Sequence, residues 1–522
     1  MTTIGYEEAL ATARQHAEAG HFADFLKCCR QLGEAFSGDF ACQINIGALL
    51  SSYGFLTYAR DCYERARAIA PTDLRAWANL ANLARDAGAQ GEARRLFAEL
   101  LRHLPDHPII RRNALTSLEY DPDVTDAERL MQAKAWGQWA IDHAGGHRAR
   151  PTLQPLGSRP LRIGYVSADL CQHTVGLLVK DVLAAHDRSR VEVFVYSAGH
   201  VKDWVTGKIR AVSIFRDVSA LDDGALARQI CADGVDVLID LSGHTAGSRL
   251  TAFTLRPAPV MASWLGYFAT TGLSYIDAVF LDEWHAPPGA EAQFVEPVIR
   301  LPGRWCFQPG PWAIEVAPGP SQRNGYVTFG SFNNTAKYHP EVFNLWAEIL
   351  AATPNSRLVL KWRTFNDDVF RQQVTDAFVA RGIAAERIDL RGPSFHSGVL
   401  REYADLDIAL DPFPFSGGMT SCEALWMGVP VITWPQSRVV SRQTHACLHQ
   451  IGLPELSAVD AADYVHIASD MAGDPHLRSQ LRADLRGLMR ASPLMDVHGF
   501  ARTLETNLIE LYRRIEGEHL GN

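Results

Sequence analysis

The chain is short of the features that mark several protein classes. Its nine cysteines include no Cys-x-x-Cys pair, and their odd count and irregular spacing argue against a disulfide framework or a structural zinc site. They read as small core residues in a reducing compartment. No long apolar run is present. The best stretch, Ala424 to Trp434, falls far short of the ~20 residues of a membrane span and contains Gly428 and Pro430. The opening residues, MTTIGYEEALATARQ, alternate charge with apolar side chains and cannot serve as a signal peptide. A cytoplasmic location is expected. Runs of Lys and Arg are also missing, and the net charge of −9 gives no footprint for nucleic acid.

What remains is the composition of a soluble globular protein, 47% hydrophobic and 21% charged. At 522 residues it exceeds one ordinary core, since domains average ~150 residues.

Internal repetition is the first positive signal. Gly54 aligns with Gly88, Ala59 with Ala93, Tyr63 with Phe97 and Pro71 with Pro105, always 34 residues apart. That is the tetratricopeptide period. Trp77, Leu80, Ala81 and Ala84 line the first helix of one repeat, and Ala93 and Phe97 sit on its second. Small residues at 81 and 93 let the two helices approach closely. A degenerate copy comes before, with Gly20 one period ahead of Gly54 and Phe25 where Ala is expected. Two clear repeats and one degenerate repeat thus occupy residues 1–108. A helical connector and a linker rich in Gly, Pro and Arg follow over 109–158.

From residue 159 the pattern changes to short β-rich runs separated by helical segments. LRIGYVSAD, VEVFVYSA, VDVLIDLSG, VMASWLGY and IDAVFLD form one series, closed by EPVIRLPG. GYVTFGSF, RLVLKW, RIDLRG, DIALDPF and PVITWP form a second. Two Rossmann-like lobes facing a cleft are expected, over 159–312 and 313–490. A packing helix at 491–522 carries Leu504, Leu508, Leu511 and Ile515 on one stripe.

Ligands of such sheets bind beyond the carboxyl ends of the strands. After DIALDPF come Ser416, Gly417 and Gly418, which allow close backbone approach, and then a helix whose free N–H groups favour an anion. Thr420 and Ser421 add hydroxyls, and Glu423 suits the two hydroxyls of a ribose. Together they read as a nucleotide diphosphate site. Lys337, in GSFNNTAKYHP, lies at the same edge and can neutralise a departing diphosphate. In the first lobe, Asp169 and His173 follow the first strand, and His173 can orient or deprotonate an acceptor. His244 and Thr245 end another strand, and the segment WLGYFATTGL, with Tyr267 and Thr271, ends a third. The pair Asp405 and Asp407 imitates a metal-binding Asp-x-Asp. It precedes the apolar run of its strand, away from the cleft, and reads as structural. No carboxylate or histidine pairing points to a catalytic metal.

Several of these segments carry a family resemblance. LRIGYVSADLCQH, DLSGHTAGSRL, LRPAPVMASWLGYFATTGL, VTFGSFNNTAKYHPEVFNLWAEIL and LDPFPFSGGMTSCEALWMGVPVIT resemble the O-linked N-acetylglucosamine transferase/SPINDLY family over residues 160 to 515. The resemblance implies a GT-B fold behind a tetratricopeptide array. It further implies inverting, metal-independent transfer of a sugar from a nucleotide donor to a protein side chain. His173 matches a family histidine at the acceptor side, Lys337 a lysine on the diphosphate, and Glu423 an acidic residue on the ribose. The helix beginning near Thr420 matches one that holds phosphates, and Arg442 a position near the donor site. Asn334, Gly417, Gly418, Thr420 and Ser421 are expected at that donor site, and Asp169, His244, Thr245, Tyr267 and Thr271 at the acceptor and sugar side of the cleft. UDP-N-acetylglucosamine is the expected co-substrate, with no other cofactor, and a protein held along the repeats is the expected acceptor. Other readings stay open. The sugar can be fucose or another, carried by GDP or UDP. A sugar-nucleotide epimerase or small-molecule transferase would share the lobes, and an inert scaffold would share the repeats.

Overall fold

The computed structural model describes residues 3–520; Met1, Thr2, Gly521 and Asn522, at the edges of the outermost expected units, lie outside them. Eight helices come first. They are α1 (Thr3–Glu18), α2 (Phe22–Ala35), α3 (Phe40–Ser52), α4 (Leu56–Ile69), α5 (Leu74–Asp86), α6 (Gln90–His103), α7 (Pro108–Ser117) and α8 (Asp126–His143). The first six pair as three antiparallel hairpins. Each hairpin turns on a glycine of the 34-residue series, and Gly20, Gly54 and Gly88 all adopt left-handed φ, at 77°, 88° and 81°. Ala59, Ala81 and Ala93 are fully buried where helices approach, and Phe25 fills the same role in the degenerate copy.

Two parallel sheets follow. The first contains β1 (Leu161–Ser167), β2 (Val191–Ser197), β3 (Ile214–Asp217), β4 (Val237–Asp240), β5 (Val260–Trp264), β6 (Ala278–Asp282) and β7 (Val298–Leu301), in the order β3-β2-β1-β4-β5-β6-β7. The second contains β8 (Thr328–Ser331), β9 (Arg357–Lys361), β10 (Ile388–Arg391), β11 (Ile408–Leu410) and β12 (Val431–Ile432), in the order β10-β9-β8-β11-β12. Strand order reverses between β1 and β4 in one sheet and between β8 and β11 in the other. At such reversals the connecting helices diverge and leave a crevice for ligand. Helices cover both sheets in the two-lobed GT-B arrangement. β3 escapes sequence reading because it is a half-exposed edge strand, Ile-Phe-Arg-Asp, with no apolar run.

Asp407 fastens the amino-terminal end of β11. Its carboxylate accepts the Thr328 N–H at 2.9 Å and the Ser321 N–H and hydroxyl at 3.2 and 2.7 Å. The helix Val497–Leu520 buries Leu504, Leu508, Leu511 and Ile515, and it does so by crossing back onto the first lobe. There Glu505 meets His186 at 2.9 Å and Arg190 at 3.2 Å, on the far side of α9 (Thr174–Ala185) from the cleft.

The repeats are docked along the second lobe rather than projecting from it. A Cβ on Gly54 would stand 2.2 Å from the Arg363 carbonyl oxygen, and one on Gly88 would stand 2.0 Å from that of Tyr338. Around them Asp367 accepts the Thr57 N–H at 2.7 Å, Gln90 donates to the Ala336 carbonyl at 2.6 Å, and Thr335 donates to that of Asp86 at 2.8 Å. Each glycine therefore serves both its turn and its interface. Gly88→Ala is expected to destabilise the protein by ~1–3 kcal/mol through left-handed strain and lost docking. Denaturant unfolding, with proteolysis as a probe of loosened repeats, checks this.

Candidate active site

The loop after β8 carries the site's cation. Asn334 caps a single 3₁₀ turn, its side chain accepting the Ala336 N–H at 3.1 Å, and Lys337 ends that turn. The lysine side chain runs inward and is only 8% exposed. Its ammonium donates to Asn333 Oδ1 at 3.0 Å and to the Ser416 carbonyl at 2.8 Å, and it lies 4.6 Å from the centre of the Phe415 ring. Burial lowers its pKa to about 8, against the opposing pull of the Asp411 carboxylate. The group is thus charged at neutral pH, largely desolvated, and able to exchange a protein acceptor for a phosphate oxygen.

The loop after β11 forms the other wall. Asp411 accepts the Gly417 N–H at 2.6 Å and the Thr433 hydroxyl at 2.7 Å, which draws the Ser-Gly-Gly turn tightly over the strand end. The helix Met419–Trp426 begins there with Gly418 as its N-cap and no side chain closing its first N–H groups. Those groups and the helix dipole favour an anion. Thr420 lies in the first turn, its hydroxyl 3.3 Å from Asn333 Oδ1.

One turn on, Glu423 is nearly buried and meets His396 Nε2 at 2.5 Å. Burial works against the charged imidazole, but the carboxylate outweighs it and holds the His396 pKa above the ordinary histidine range. Trp312, from the segment joining the lobes, packs on the imidazole with ring centres 4.5 Å apart. The pair lines a cavity of about 490 Å³ that also receives Phe332, Trp362, Thr420 and, from the opposite lobe, His173.

His173 caps α9 and is half exposed. Its Nδ1 accepts the Val175 N–H at 3.4 Å and lies 3.9 Å from Asp169, whose pKa burial raises against the pull of the imidazole. With Nδ1 accepting, the neutral ring carries its hydrogen on Nε2. In this arrangement it is a donor toward the cavity, and it becomes a base there only after turning.

The remaining expected positions divide. Gly417 and Gly418 hold the turn, where a Cβ on Gly417 would stand 2.2 Å from Ser421 Oγ. The Ser421 hydroxyl is buried against Thr444 at 2.7 Å and does not line the cavity. Asn334 is spent on its turn, and its neighbour Asn333 touches the lysine. Arg442 donates to the Trp284 carbonyl of the first lobe at 2.6 Å and to that of Gln436 at 3.1 Å, so it braces one lobe against the other. His244, Tyr267 and Thr271 are all buried away from the cleft cavity. His244 Nε2–H donates to the Thr271 carbonyl, 2.8 Å away, and the ring packs edge-on against Trp136 of α8 and against Tyr267. Desolvation lowers its pKa to about 4. The Thr271 N–H goes to Glu296 at 2.7 Å, and the Thr245 hydroxyl to the Ser242 carbonyl at 2.8 Å. These strand ends do lie at the carboxyl edge, but the helical connector already occupies the space beyond them.

The sequence profile described as glycosyl transferase family 41 matches residues 141–307 and 321–504. The chain belongs to glycosyl transferase family 41. Among relatives, a probable UDP-N-acetylglucosamine–peptide N-acetylglucosaminyltransferase SPINDLY of Oryza sativa subsp. japonica is 36% identical over 426 residues, 80% of this chain and 46% of its own length. The Arabidopsis thaliana protein of the same description is 35% identical, over 78% of this chain and 46% of its own length. The chain thus spans about half the length of the curated relatives it matches. A mutant form of the Thermobaculum terrenum O-GlcNAc transferase superposes over 99% of this chain and 100% of its own, with a TM-score of 0.90 and 32% identity. Repeats, connector and both lobes of this family 41 member therefore share one arrangement with that structure.

Sequence reading singled out Glu423 but not Asn333, Phe415 or the pairing of Glu423 with His396. The last two depend on neighbours far apart in the chain. Two outcomes follow from the geometry. Affinity for UDP should fall roughly 10-fold from pH 7 to pH 9 as Lys337 loses its proton, and Lys337→Ala should flatten that dependence; calorimetry at both pH values reads it. Glu423→Ala should weaken UDP roughly 10-fold yet leave inorganic pyrophosphate unchanged, if the carboxylate serves the ribose.

Proposed function

We propose that this chain moves N-acetylglucosamine from UDP-N-acetylglucosamine to serine or threonine of a protein, with inversion and without a metal ion. The observation that carries the reading is the convergence, in one cavity between two lobes, of His173 from one side with Thr420 and Glu423 from the other, with the buried Lys337 joined to Thr420 through their shared acceptor, Asn333. The relatives' descriptions supply the donor and the kind of acceptor.

In this reading Glu423 holds ribose hydroxyls, and the N–H groups opening the helix Met419–Trp426 hold the diphosphate with Thr420. The acceptor hydroxyl attacks the anomeric carbon from the first-lobe side. The bond from that carbon to the phosphate oxygen breaks in line, and its electron pair leaves on UDP. Lys337, its own side chain largely out of water, meets the charge that develops there. The hydroxyl proton departs to His173 once its ring has turned to present an unprotonated nitrogen to the cavity. The chain's own cation and helix N-terminus do the work that a divalent ion would otherwise do.

A protein acceptor explains the array. Repeats fixed to the nucleotide-side lobe hold a bound polypeptide at a constant distance from the cleft. Nine free cysteines fit a reducing, cytoplasmic setting. Among the described residues no helix is long and apolar enough to cross a membrane.

The purified protein is expected to label lysate proteins from UDP-N-acetylglucosamine in the presence of EDTA. Lys337→Ala should lower that transfer by ~10²–10³. Calorimetry with UDP and GDP in parallel tests the donor; tighter binding of GDP would overturn the assignment of the sugar nucleotide, and binding of neither would overturn transfer.

A further inference from the structure

The lysine does not stand on second-lobe residues alone. Phe415, whose ring lies beneath its ammonium, is stacked by Tyr120 with ring centres 4.5 Å apart and planes inclined by 25°. Tyr120 thus covers one face of the ring whose centre lies 4.6 Å from the Lys337 ammonium. Phe268 of the first lobe meets the edge of Phe415 at 5.3 Å.

Tyr120 comes from the segment between α7 and α8, far from the cleft in sequence. That segment is held on three sides. Arg94 of α6 pairs with Asp121 at 2.9 Å, Arg129 of α8 pairs with Glu119 at 2.7 Å, and Arg438 of the second lobe donates to the carbonyls of Leu118 and Val124. A segment without regular structure, fixed by three guanidinium groups, places one aromatic ring against the wall of the site.

We propose that Tyr120 is a positioning residue, through which the helical part of the chain sets the place of Phe415 and hence of the Lys337 ammonium relative to the leaving diphosphate. The proposal rests on the transfer reading given above. Tyr120 touches no reacting atom; it acts by closing the ring face and keeping water from the lysine. The ionisable group acting on Lys337 is Asp411, and those around Tyr120 are Arg85, Asp86 and Glu119. Removing the ring therefore has two separable effects. The ammonium becomes mobile, which lowers the rate. It also becomes hydrated, which relaxes its pKa upward from about 8.

The test is the pH profile of transfer by wild type, Tyr120→Ala, Tyr120→Leu and Tyr120→Phe, with UDP affinity measured over the same pH range. In the free enzyme the alkaline limb of kcat/KM follows deprotonation of Lys337. Tyr120→Ala is expected to lower kcat roughly 10-fold, to change the donor KM by less than about 2-fold, and to move the alkaline limb to higher pH. Tyr120→Phe, which keeps the stacked ring, should restore the wild-type rate and limb. Tyr120→Leu keeps apolar bulk if the alanine variant does not fold, and should shift the limb in the same direction. A general loss of structure would lower the rate without extending the profile upward. An unmoved limb in a folded Tyr120→Ala or Tyr120→Leu variant, or a Tyr120→Phe variant as impaired as Tyr120→Ala, would overturn the proposal. If no variant, including wild type, transfers sugar while the pH limb of UDP binding still moves upward in Tyr120→Ala, the positioning role stands and the transfer reading falls.

Discussion

An ammonium group taken out of water must find its acceptors inside the protein, and at Lys337 they come from two loops that end neighbouring strands. Asn333 follows β8 and the Ser416 carbonyl follows β11, the two strands at which the order of the second sheet reverses. Sheet register therefore sets the distance between the lysine and the glycine-rich turn. Asp407 fixes that register from below by fastening β8 and β11 at their amino-terminal ends, and Asp411 fixes the turn from above. The carboxylates flanking the strand IAL have opposite faces of the same task. A charged site this dry is kept by neighbours that leave little freedom to water or to backbone.

The same economy of contact joins the larger parts. Arg442 reaches from one lobe to a carbonyl of the other, the helix Val497–Leu520 returns to the first lobe, and the repeat turns press glycine backbone onto the second lobe. The largest apolar cluster runs from Tyr6 through both sheets to Ile515, beside smaller clusters in the first lobe and the connector. The helical array and the two lobes are consequently not beads on a string. The last repeat meets the segment of Tyr120 directly, through Arg94 and Asp121.

Much of the architecture was legible in the sequence because its signals are local. The 34-residue spacing of Gly20, Gly54 and Gly88 reflects a backbone conformation that glycine adopts without strain, and eleven of the twelve strands announce themselves as apolar runs between turns. β3 did not, since a half-exposed edge strand needs no such run. Site residues were legible only to the level of the strand end on which they sit. Glycine content and helix position mark the turn around Gly417 and Gly418. Nothing local says that Asn333 rather than Asn334 faces the lysine, because the two adjacent asparagines differ only in that Asn334 is taken up in capping the turn. His244, Tyr267 and Thr271 occupy carboxyl edges as expected, but which body fills the space beyond an edge is a long-range fact, and there it is α8. Arg442 and His396 likewise owe their roles to partners more than 25 residues away.

The returning helix also has a consequence in time. His186 and Glu505 are wholly buried partners separated by 319 residues, and the Tyr165 hydroxyl meets the other nitrogen of the same imidazole. During synthesis the first lobe emerges with that imidazole facing an empty groove. At ~5–20 residues per second, roughly 15–60 s pass before Glu505 is made. Until then the second lobe can complete its sheet while the first cannot close its outer layer. The first lobe therefore spends that interval without the helix that covers its outer layer.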